Sequence, residues 1–404
     1  MFVNRFFWPD QSATSQILSD LAFDLAASGM PVRVVTSRHR HDGGDGGLPV
    51  SETAQGVVID RIWSTRSKLP GLVGRALDYI TFYLSAAWAL WRRVDRKTIV
   101  VCKTDPPLLS LVAAPVVKLR GATLVNWLQD LFPEVAGALG VKGVRGGPFR
   151  LLQRARNASL RTAATNVILG SRMEELLAGQ GNSPASLRII PNWADGDAIR
   201  PLDASLNPLR AEWGLADKFV VGYSGNLGRA HEFTTILDAA KVLASRTDIA
   251  FLFIGGGAQR RSVEEAVAQS GLSNIHFRPY QPRENLRESL GVADAHLVSL
   301  NPALEGLIVP SKFYGIAAAG RATLFIGDQD GEIPRVLREG DCGLSIDIGD
   351  AEGLAGAVRA LADDRERCRE LGQNARQLFD ARFERKQAVR AWREVLQDAR
   401  SRVS

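Results

Sequence analysis

Lys312 is the residue whose sequence context points most directly to chemistry. It follows Pro310 and Ser311 at the predicted start of a helix that runs to Ala319. Ser311 is expected to cap this helix, and the free N–H groups of the first turn, together with the Lys312 ammonium, would attract a phosphate. The alternative is an ordinary capped helix with a solvated lysine, and this feature alone favours neither.

A second loop suited to phosphate joins a predicted strand to a helix at residues 225–231, Gly-Asn-Leu-Gly-Arg-Ala-His. Gly225 and Gly228 permit a ligand to approach the backbone closely, and Arg229 can donate from its forked guanidinium. The alternative interpretation is a flexible turn.

Other familiar ligand motifs are missing from the sequence. Arg260 occupies the place of the third glycine of a dinucleotide fingerprint, and the pattern GxxxxGK[ST] does not occur. The five histidines lack metal-ligand spacing, and the pairs Asp195-Gly-Asp197 and Asp328-Gln-Asp330 fit turns and caps better than a cation site. The sequence therefore disfavours a nicotinamide enzyme and an ATPase, and it predicts no metal site.

The elements that would position these loops follow a regular alternation. Strands are predicted at residues 32–36, 57–63, 98–102, 122–128, 166–169 and 187–190, and again at 219–223, 250–254, 275–279, 295–299, 322–326 and 343–346. Apolar strands separated by helices indicate parallel sheets covered on both faces. We therefore predict an α/β protein with two doubly wound, Rossmann-like domains facing a cleft, with ligands at the carboxyl ends of the strands.

Length and composition support two domains. A chain of 404 residues exceeds what one hydrophobic core usually organises. We place an N-terminal domain at residues 1–195, a C-terminal domain at 196–383, and a final helix at 384–404 that can pack back on the N-terminal domain. Only residues 1–4 precede the first turn, so we expect a first strand that is unusually short.

Charge is distributed unevenly along the chain. Residues 1–195 carry 23 Lys and Arg against 15 Asp and Glu, a net +8, whereas residues 196–404 carry 27 against 29, a net −2. The basic half suits an anionic partner, and a phosphate-bearing lipid, an anionic membrane and a nucleic acid all qualify. Three widely spaced cysteines and the lack of a signal peptide or spanning segment predict a cytoplasmic protein.

One predicted helix combines aromatic and basic residues. Tyr79, Phe82, Tyr83, Trp88 and Trp91 lead into four Arg and Lys residues between positions 92 and 97. This layout suits a helix at a membrane interface. The alternative is a helix buried in the core whose C-terminal end carries basic residues.

Taken together, the motifs resemble those of the GT-B glycosyltransferases of family 4 over nearly the whole chain. The resemblance is carried by Phe6-Phe7-Trp8-Pro9-Asp10, Thr104-Asp105-Pro106-Pro107, Gln129-Asp130-Leu131-Phe132-Pro133, Ile190-Pro191-Asn192, residues 225–231, and Glu305-Gly306 through Pro310-Ser311-Lys312 to Ala319-Gly320-Arg321. Within that family the sequence is most similar to bacterial transferases for colanic acid, O-antigen and capsule, among them the N-acetyl-L-fucosamine transferases.

The resemblance implies a retaining transfer of a sugar from a UDP-sugar, without metal or cofactor. The sugar would be a 6-deoxy or N-acetylamino sugar, and the acceptor a saccharide linked to a polyprenyl diphosphate. Such a protein would act in bacterial surface polysaccharide biosynthesis (O-antigen, capsule or exopolysaccharide). It would lie peripherally on the inner face of the inner membrane, and no nucleic acid is expected as a partner.

The resemblance also implies roles for individual residues. The donor would contact Gly225, Asn226, Arg229, His231, Arg278, Tyr280, Gly306, Leu307, Ile308, Ser311, Lys312 and Glu332. The acceptor would contact Asp10, Ser12, Thr14, Asp105, Gln129 and Glu134. The residues implied in catalysis are Glu305, Arg229, Lys312 and Asp130.

Four positions depart from the broad family pattern. The usual diphosphate-binding Arg and Lys are replaced by Asn226 and His231, the usual His by Gln129, and the ribose-binding second Glu of Glu-x7-Glu by Gly315. Arg229 is expected to supply the missing charge and Glu332 the ribose contact, and Gln129 suggests a donor sugar without a 6-hydroxyl. These departures keep two alternatives open, a catalytically silent partner that binds a nucleotide sugar and a GT-B UDP-sugar epimerase.

Overall fold

The computed structural model describes residues 1–41, 47–67, 69, 71–141 and 146–401. The strands are β1 Phe2–Val3, β2 Val32–Ser37, β3 Ser51–Ala54, β4 Val57–Ile62, β5 Ile99–Lys103, β6 Thr123–Trp127, β7 Thr165–Ile168, β8 Leu187–Ile189, β9 Phe219–Ser224, β10 Ile249–Ile254, β11 Ile275–Arg278, β12 Ala295–Ser299, β13 Ala322–Ile326 and β14 Gly343–Ile346. The helices are α1 Ala13–Ala27, α2 Gly71–Arg93, α3 Leu109–Leu119, α4 Glu134–Ala138, α5 Gly146–Thr162, α6 Ser171–Gly179, α7 Pro208–Glu212, α8 Thr234–Val242, α9 Arg260–Gln269, α10 Leu286–Gly291, α11 Lys312–Ala318, α12 Glu332–Gly340, α13 Ala351–Asp363, α14 Arg365–Arg382 and α15 Arg385–Ser401.

These elements form two compact units. Unit 1 consists of residues Met1–Pro191 and the chain from Ala388 onward, and unit 2 of Asn192–Gln387. The predicted first boundary, after residue 195, falls inside unit 2. Ala194 forms a parallel bridge with Glu384, and its carbonyl accepts from the Arg385 N–H at 3.1 Å, so this segment pairs with residues of unit 2 that are distant in sequence.

Each unit contains one doubly wound sheet. The order is β3-β4-β2-β1-β5-β6-β7-β8 in unit 1 and β11-β10-β9-β12-β13-β14 in unit 2. All pairings are parallel except that of β3 with β4. The predicted fold class is confirmed, and all twelve predicted strands end within one residue of their predicted limits.

Two strands differ in character from the predicted set. β1 is two residues long and lies centrally between β2 and β5. β3 is an antiparallel edge strand with no fully buried residue, so it lacks the apolar run by which the other strands are recognised.

The last helix completes the core of unit 1. Trp392 of α15 is fully buried, with its ring centroid 4.6 Å from that of Trp127 and 6.4 Å from that of Phe2. Helix α15 therefore covers strands β1 and β6 with a large aromatic side chain.

No helix in the described ranges is both long and apolar enough to cross a membrane.

Candidate functional site

The loop at residues 225–231 follows β9 in unit 2 and is held by its neighbours rather than flexible. The Leu227 N–H donates to the Gly256 carbonyl at 2.7 Å. The Gln259 amide donates to the carbonyls of Gly228 (2.7 Å) and His231 (3.0 Å). Gly225 has a φ of +126°, which favours glycine, so the turn depends on this residue.

Lys312 reaches this loop from the first position of α11. Its ammonium donates to the Tyr223 hydroxyl and lies 3.7 Å from the centroid of the Tyr223 ring. The His231 Nε2 is 3.5 Å from Lys312 Nζ. Lys312 forms no ion pair with any residue the structure describes. Burial lowers the pKa of Lys312 well below its usual value, since no carboxylate offsets the loss of hydration.

His231 is fixed in one protonation state by its surroundings. Its Nδ1 lies 2.5 Å from the Ser299 carbonyl oxygen, so Nδ1 carries the proton and donates. Burial and the nearby Lys312 charge lower the pKa of His231 to about 3. His231 is therefore neutral at physiological pH, and its Nε2 presents a lone pair to Lys312.

The predicted cap at the start of α11 is wrong in its details. Ser311 stands at the N-cap position with helical backbone angles, and its side chain makes no capping hydrogen bond. The N–H groups of Phe313 and Tyr314 are bonded at 3.3 Å to the carbonyls of Pro310 and Ser311. The tight turn at Pro310 thus uses these donors internally, and Lys312 directs its charge to the 225–231 loop instead.

Glu305 is tied to the start of α12. Its Oε1 accepts from the backbone N–H groups of Glu332 (2.9 Å) and Gly306 (3.3 Å). Burial raises the pKa of Glu305, and these hydrogen bonds oppose that rise. The structure thus brings Glu305 and Glu332 together, while Gly306 and Leu307 are buried and Ile308 is half-buried.

Tyr280 and Arg278, both predicted near the donor base, differ in orientation. Tyr280 is exposed, and its ring packs beside Gly255 and Gly256, with its hydroxyl donating to the Gly256 carbonyl at 3.3 Å. The Arg278 guanidinium lies 5.3 Å from the Trp213 ring and donates to the Phe277 carbonyl at 2.9 Å. Tyr280 therefore offers an aromatic face, whereas Arg278 is occupied by packing within unit 2.

Asn226 and Arg229 are exposed on the same loop. Arg229 forms no ion pair within the described part of the chain. Gly315, which stands in place of the expected glutamate, lies in α11, where a Cβ would come 3.5 Å from a methyl group of Leu290.

In unit 1, the predicted acceptor residues Asp10, Ser12 and Thr14 lie at the start of α1. Asp10 accepts from the backbone N–H groups of Ser12 (2.8 Å) and His41 (2.5 Å), so both its oxygens are used. Ser12 stands at the N-cap position without a side-chain capping bond. The Thr14 carbonyl accepts from Lys103 Nζ at 2.7 Å.

Lys103 was not predicted and is the most unusual charged residue of unit 1. It ends β5, is 2% exposed, and its ammonium lies 4.1 Å from the Trp127 ring centroid. Burial lowers its pKa to about 7, against the opposing charges of Asp105 and Asp130. The available signal was a lysine that ends an apolar strand at the predicted ligand edge of the sheet.

Asp105 and Asp130 lie near this lysine. The loss of hydration and the neighbouring Asp105 charge raise the pKa of Asp130 to about 6, and Lys103 opposes the rise. Loss of hydration also raises the pKa of Asp105, which Arg5 opposes most strongly. The charges of Lys103, Asp105 and Asp130 thus influence one another at the carboxyl end of the unit 1 sheet.

Glu134 and Gln129 serve the interior of unit 1 in this structure. Glu134 Oε1 accepts from Arg156 (2.6 Å), Gln153 (2.9 Å) and Gln180 (3.0 Å). Gln129 is buried, and its N–H donates to the Thr104 hydroxyl at 3.2 Å. Arg156, a buried cation, thus pairs with the Glu134 carboxylate through Oε1.

The described residues contain no group of three or more His, Cys, Asp or Glu side chains arranged to hold a metal ion.

The two doubly wound units define the architecture of the GT-B glycosyltransferases, and comparison with known proteins agrees. The profile "Glycosyl transferase 4-like domain" matches residues 13–193, and "Glycosyl transferases group 1" matches residues 207–378. The chain is 30% identical to WbjE of Pseudomonas aeruginosa, named as a glycosyltransferase, over 74% of each chain. The chain belongs to this family of glycosyltransferases.

Two further relatives extend the comparison. WcaI of Escherichia coli K12, named as a colanic acid biosynthesis glycosyl transferase, is 27% identical over 77% of this chain and 79% of its own. The crystal structure of HepE from Anabaena in complex with UDP-glucose has a TM-score of 0.72, 15% identity and 98% coverage of both chains. The similarity to HepE supports the fold of this chain.

Proposed function

We propose that the protein transfers a sugar from a UDP-sugar to a lipid-linked saccharide, with retention, in bacterial surface polysaccharide biosynthesis. The naming of WcaI for colanic acid biosynthesis and the UDP-glucose bound to HepE support this proposal. The donor sugar is a 6-deoxy or N-acetylamino sugar, and the acceptor is a saccharide carried on polyprenyl diphosphate.

The observation that carries the donor part is the uncompensated charge of Lys312. Lys312 is half-buried, and removing an ammonium from water is costly unless an opposite charge pairs with it. Lys312 lies beside the Gly225 turn with neutral neighbours, Tyr223 and His231. A nucleotide diphosphate placed against this turn would supply the missing negative charge.

This arrangement also suits the chemistry of transfer. As the bond from the anomeric carbon to the diphosphate oxygen breaks, negative charge grows on the departing diphosphate. A fixed cation beside that oxygen stabilises the transition state more than the ground state. The acceptor hydroxyl forms the new glycosidic bond and its proton passes to the departing phosphate oxygen, so no protein base and no metal are required.

The acceptor part rests on an apolar stripe along α2, which consists of Val73, Leu77, Ile80, Leu84, Trp88 and Trp91. Their spacing of three or four residues places them on one face of the helix. All are exposed, including Leu84 at 67% and Trp88 at 63%. The aromatic set predicted from sequence divides here, because Phe82 is fully buried and Tyr79 and Tyr83 are half-buried.

Basic groups flank this stripe. The Arg92 guanidinium lies 6.0 Å from the Trp88 ring, and that of Arg120 lies 5.5 Å from the Trp91 ring. Exposed tryptophans with adjacent arginines suit the interface of an anionic membrane. We propose that α2 docks on the inner face of the inner membrane, where a polyprenyl-linked acceptor would be available.

Thermal-shift titration with UDP, GDP and ADP tests donor binding. UDP at 100 times its Kd should stabilise the protein by about 2.7 kcal/mol, because a ligand of the native state shifts the unfolding equilibrium. GDP and ADP serve as controls. Failure of UDP to raise the melting temperature at millimolar concentration would contradict the proposal.

Vesicle co-sedimentation tests membrane docking. The variant Trp88→Ser/Trp91→Ser should lose binding to vesicles of phosphatidylglycerol while keeping its melting temperature. Trp63→Ser is the matched control, since Trp63 is 57% exposed and lies outside α2. Equal binding of both variants would refute docking through α2.

A catalytically silent donor-binding partner is the second candidate, and Gly315 favours it because the expected ribose-binding glutamate is absent. Release of UDP from a UDP-sugar in the presence of lipid-linked acceptor distinguishes the two. A silent partner would bind UDP without turnover.

A further inference from the structure

We propose that His231 and Tyr223 are positioning residues that hold Lys312 without a counter-ion, so that Lys312 takes up a proton when the donor diphosphate binds. This inference rests on the proposed function, and it concerns how the diphosphate is recognised. Asn226 and His231 replace the Arg and Lys of the family pattern that the sequence resembles. One cation from another element, Lys312, takes their place.

The hydrogen bonds define the two positioning contacts. His231 Nδ1–H donates to the Ser299 carbonyl, which leaves Nε2 as an acceptor 3.5 Å from Lys312 Nζ. The Tyr223 hydroxyl accepts from Lys312 and itself donates to the Asn226 carbonyl at 3.0 Å. Lys312 is thus held between a neutral imidazole and a phenol, and both contacts direct it to the 225–231 loop.

The charged groups around Lys312 do not neutralise it. On β9, Tyr223 is neutral, because burial raises its pKa well above the usual value. On the loop, Arg229 is also positively charged, so it cannot neutralise Lys312. No negative neighbour opposes the lowering of the Lys312 pKa by loss of hydration. The hydroxyl of the exposed Tyr280 has a pKa raised by partial loss of hydration.

Two acidic side chains on other elements of unit 2 accept hydrogen bonds from backbone N–H groups. Glu232, at the start of α8, accepts from the Thr235 N–H at 3.1 and 3.2 Å. Glu305 accepts from the N–H of Glu332, which begins α12, and from the N–H of Gly306. Lys312, which is half-buried, therefore has no negative partner among the described residues, and a bound anion would favour its protonated form.

Linkage gives the sign of the pH dependence. A bound diphosphate raises the pKa of Lys312, since an opposite charge favours the protonated form. At a pH between the pKa values of Lys312 in the free and the bound protein, binding of each UDP is accompanied by uptake of up to one proton. In that range the affinity for UDP falls by up to tenfold for each unit of rising pH. The terminal phosphate of UDP has a pKa of about 6, so it is ionised above about pH 7.5 and contributes no proton uptake there.

Calorimetric titration of the full chain with UDP between about pH 7.5 and 9.5 tests this coupling. At each pH the heat is measured in Hepes and in Tris, whose ionisation enthalpies differ, so the difference gives the protons exchanged. We expect net uptake that passes through a maximum with pH and a decline in affinity over the same range.

Variants separate positioning from folding. His231→Ala should weaken UDP binding by about tenfold and change the pH at which uptake is greatest, because Lys312 loses one acceptor. His231→Gln, whose amide oxygen can accept from Lys312, should restore most of the affinity. His276→Ala, a half-buried histidine on β11, is the matched control and should behave as the parent.

The outcomes distinguish the two proposals. If UDP fails to bind, the proposed function is overturned. If UDP binds without proton uptake, or if His231→Ala weakens binding with an unchanged pH profile and intact melting temperature, this inference is overturned while the proposed function stands. A His231→Ala protein that unfolds is replaced by Tyr223→Phe, which removes only the hydroxyl contact and should also shift the profile.

Discussion

At the scale of single residues, we expect the proposed donor site to depend on Lys312 more than on the exposed Arg229. Lys312→Met should lower the transfer rate by about 100-fold or more, because a fixed cation at the departing diphosphate is lost. Arg229→Met should cost less than about tenfold, since solvent screens an exposed guanidinium. UDP release under saturating donor measures both. Equal losses would contradict the assignment of charge to Lys312.

His296 on β12 should make the stability of the protein depend on pH. It is fully buried, with Nε2 2.9 Å from the Leu290 carbonyl, and burial lowers its pKa to about 4. The unfolded chain binds a proton there at about pH 6.5 while the folded chain does not. Its contribution to stability is therefore intact above pH 6.5 and is lost as the pH falls toward 4. Over that window it amounts to about 3 kcal/mol.

His296→Asn should remove this dependence. The difference in unfolding free energy between parent and variant, from urea titrations at about pH 7 and 5, should shrink at the lower pH. A difference that is constant with pH would show that His296 does not remain neutral when folded.

At the scale of elements, α2 has two apolar faces with different roles. Phe82 faces the core of unit 1 and Leu84 faces solvent. Phe82→Ala should destabilise the protein by about 3–5 kcal/mol. Leu84→Ser should leave stability within about 0.5 kcal/mol but weaken vesicle binding. Urea unfolding and co-sedimentation of both variants check this division, and loss of stability in Leu84→Ser would place that face in the core.

Helix α15 poses a separate question of stability. Trp392→Ala removes the ring that packs on Trp127 and should cost about 3–5 kcal/mol, measured by the urea midpoint. The exposed Trp63→Ala is the control and should change little. A small effect of Trp392→Ala would show that α15 contributes little to the unit 1 core.

At the scale of the whole molecule, the proposed donor and membrane contacts fall in different units. The 225–231 loop and Lys312 both lie in unit 2, whereas the α2 stripe and the excess positive charge lie in unit 1. UDP should therefore slow hydrogen exchange at residues 225–231 and β10, and anionic vesicles should slow it in α2. Mass-resolved exchange of the full chain checks both, and protection of α2 by UDP alone would contradict the division.

Much of the fold was predictable because it is written in local patterns. A parallel strand buried on both faces is a short apolar run, so twelve strands were located to within one residue. The antiparallel β3 was missed because its exposed face breaks that pattern. The first part of unit 1 ends at Pro191, and the pairing of Ala194 with Glu384, both in unit 2, joins residues far apart in sequence.

Only part of the candidate site could be predicted from the sequence, and there is a physical reason why the rest could not. The sequence by itself determined which loops follow strands, and it identified Lys312 and the 225–231 loop as suited to phosphate. Only the tertiary structure decided that Lys312 rests on Tyr223 and His231, that Glu134 pairs with Arg156, and that Lys103 is buried on Trp127. Helices and strands arise from neighbours along the chain, whereas the partner and pKa of a side chain depend on residues that packing brings together from distant positions.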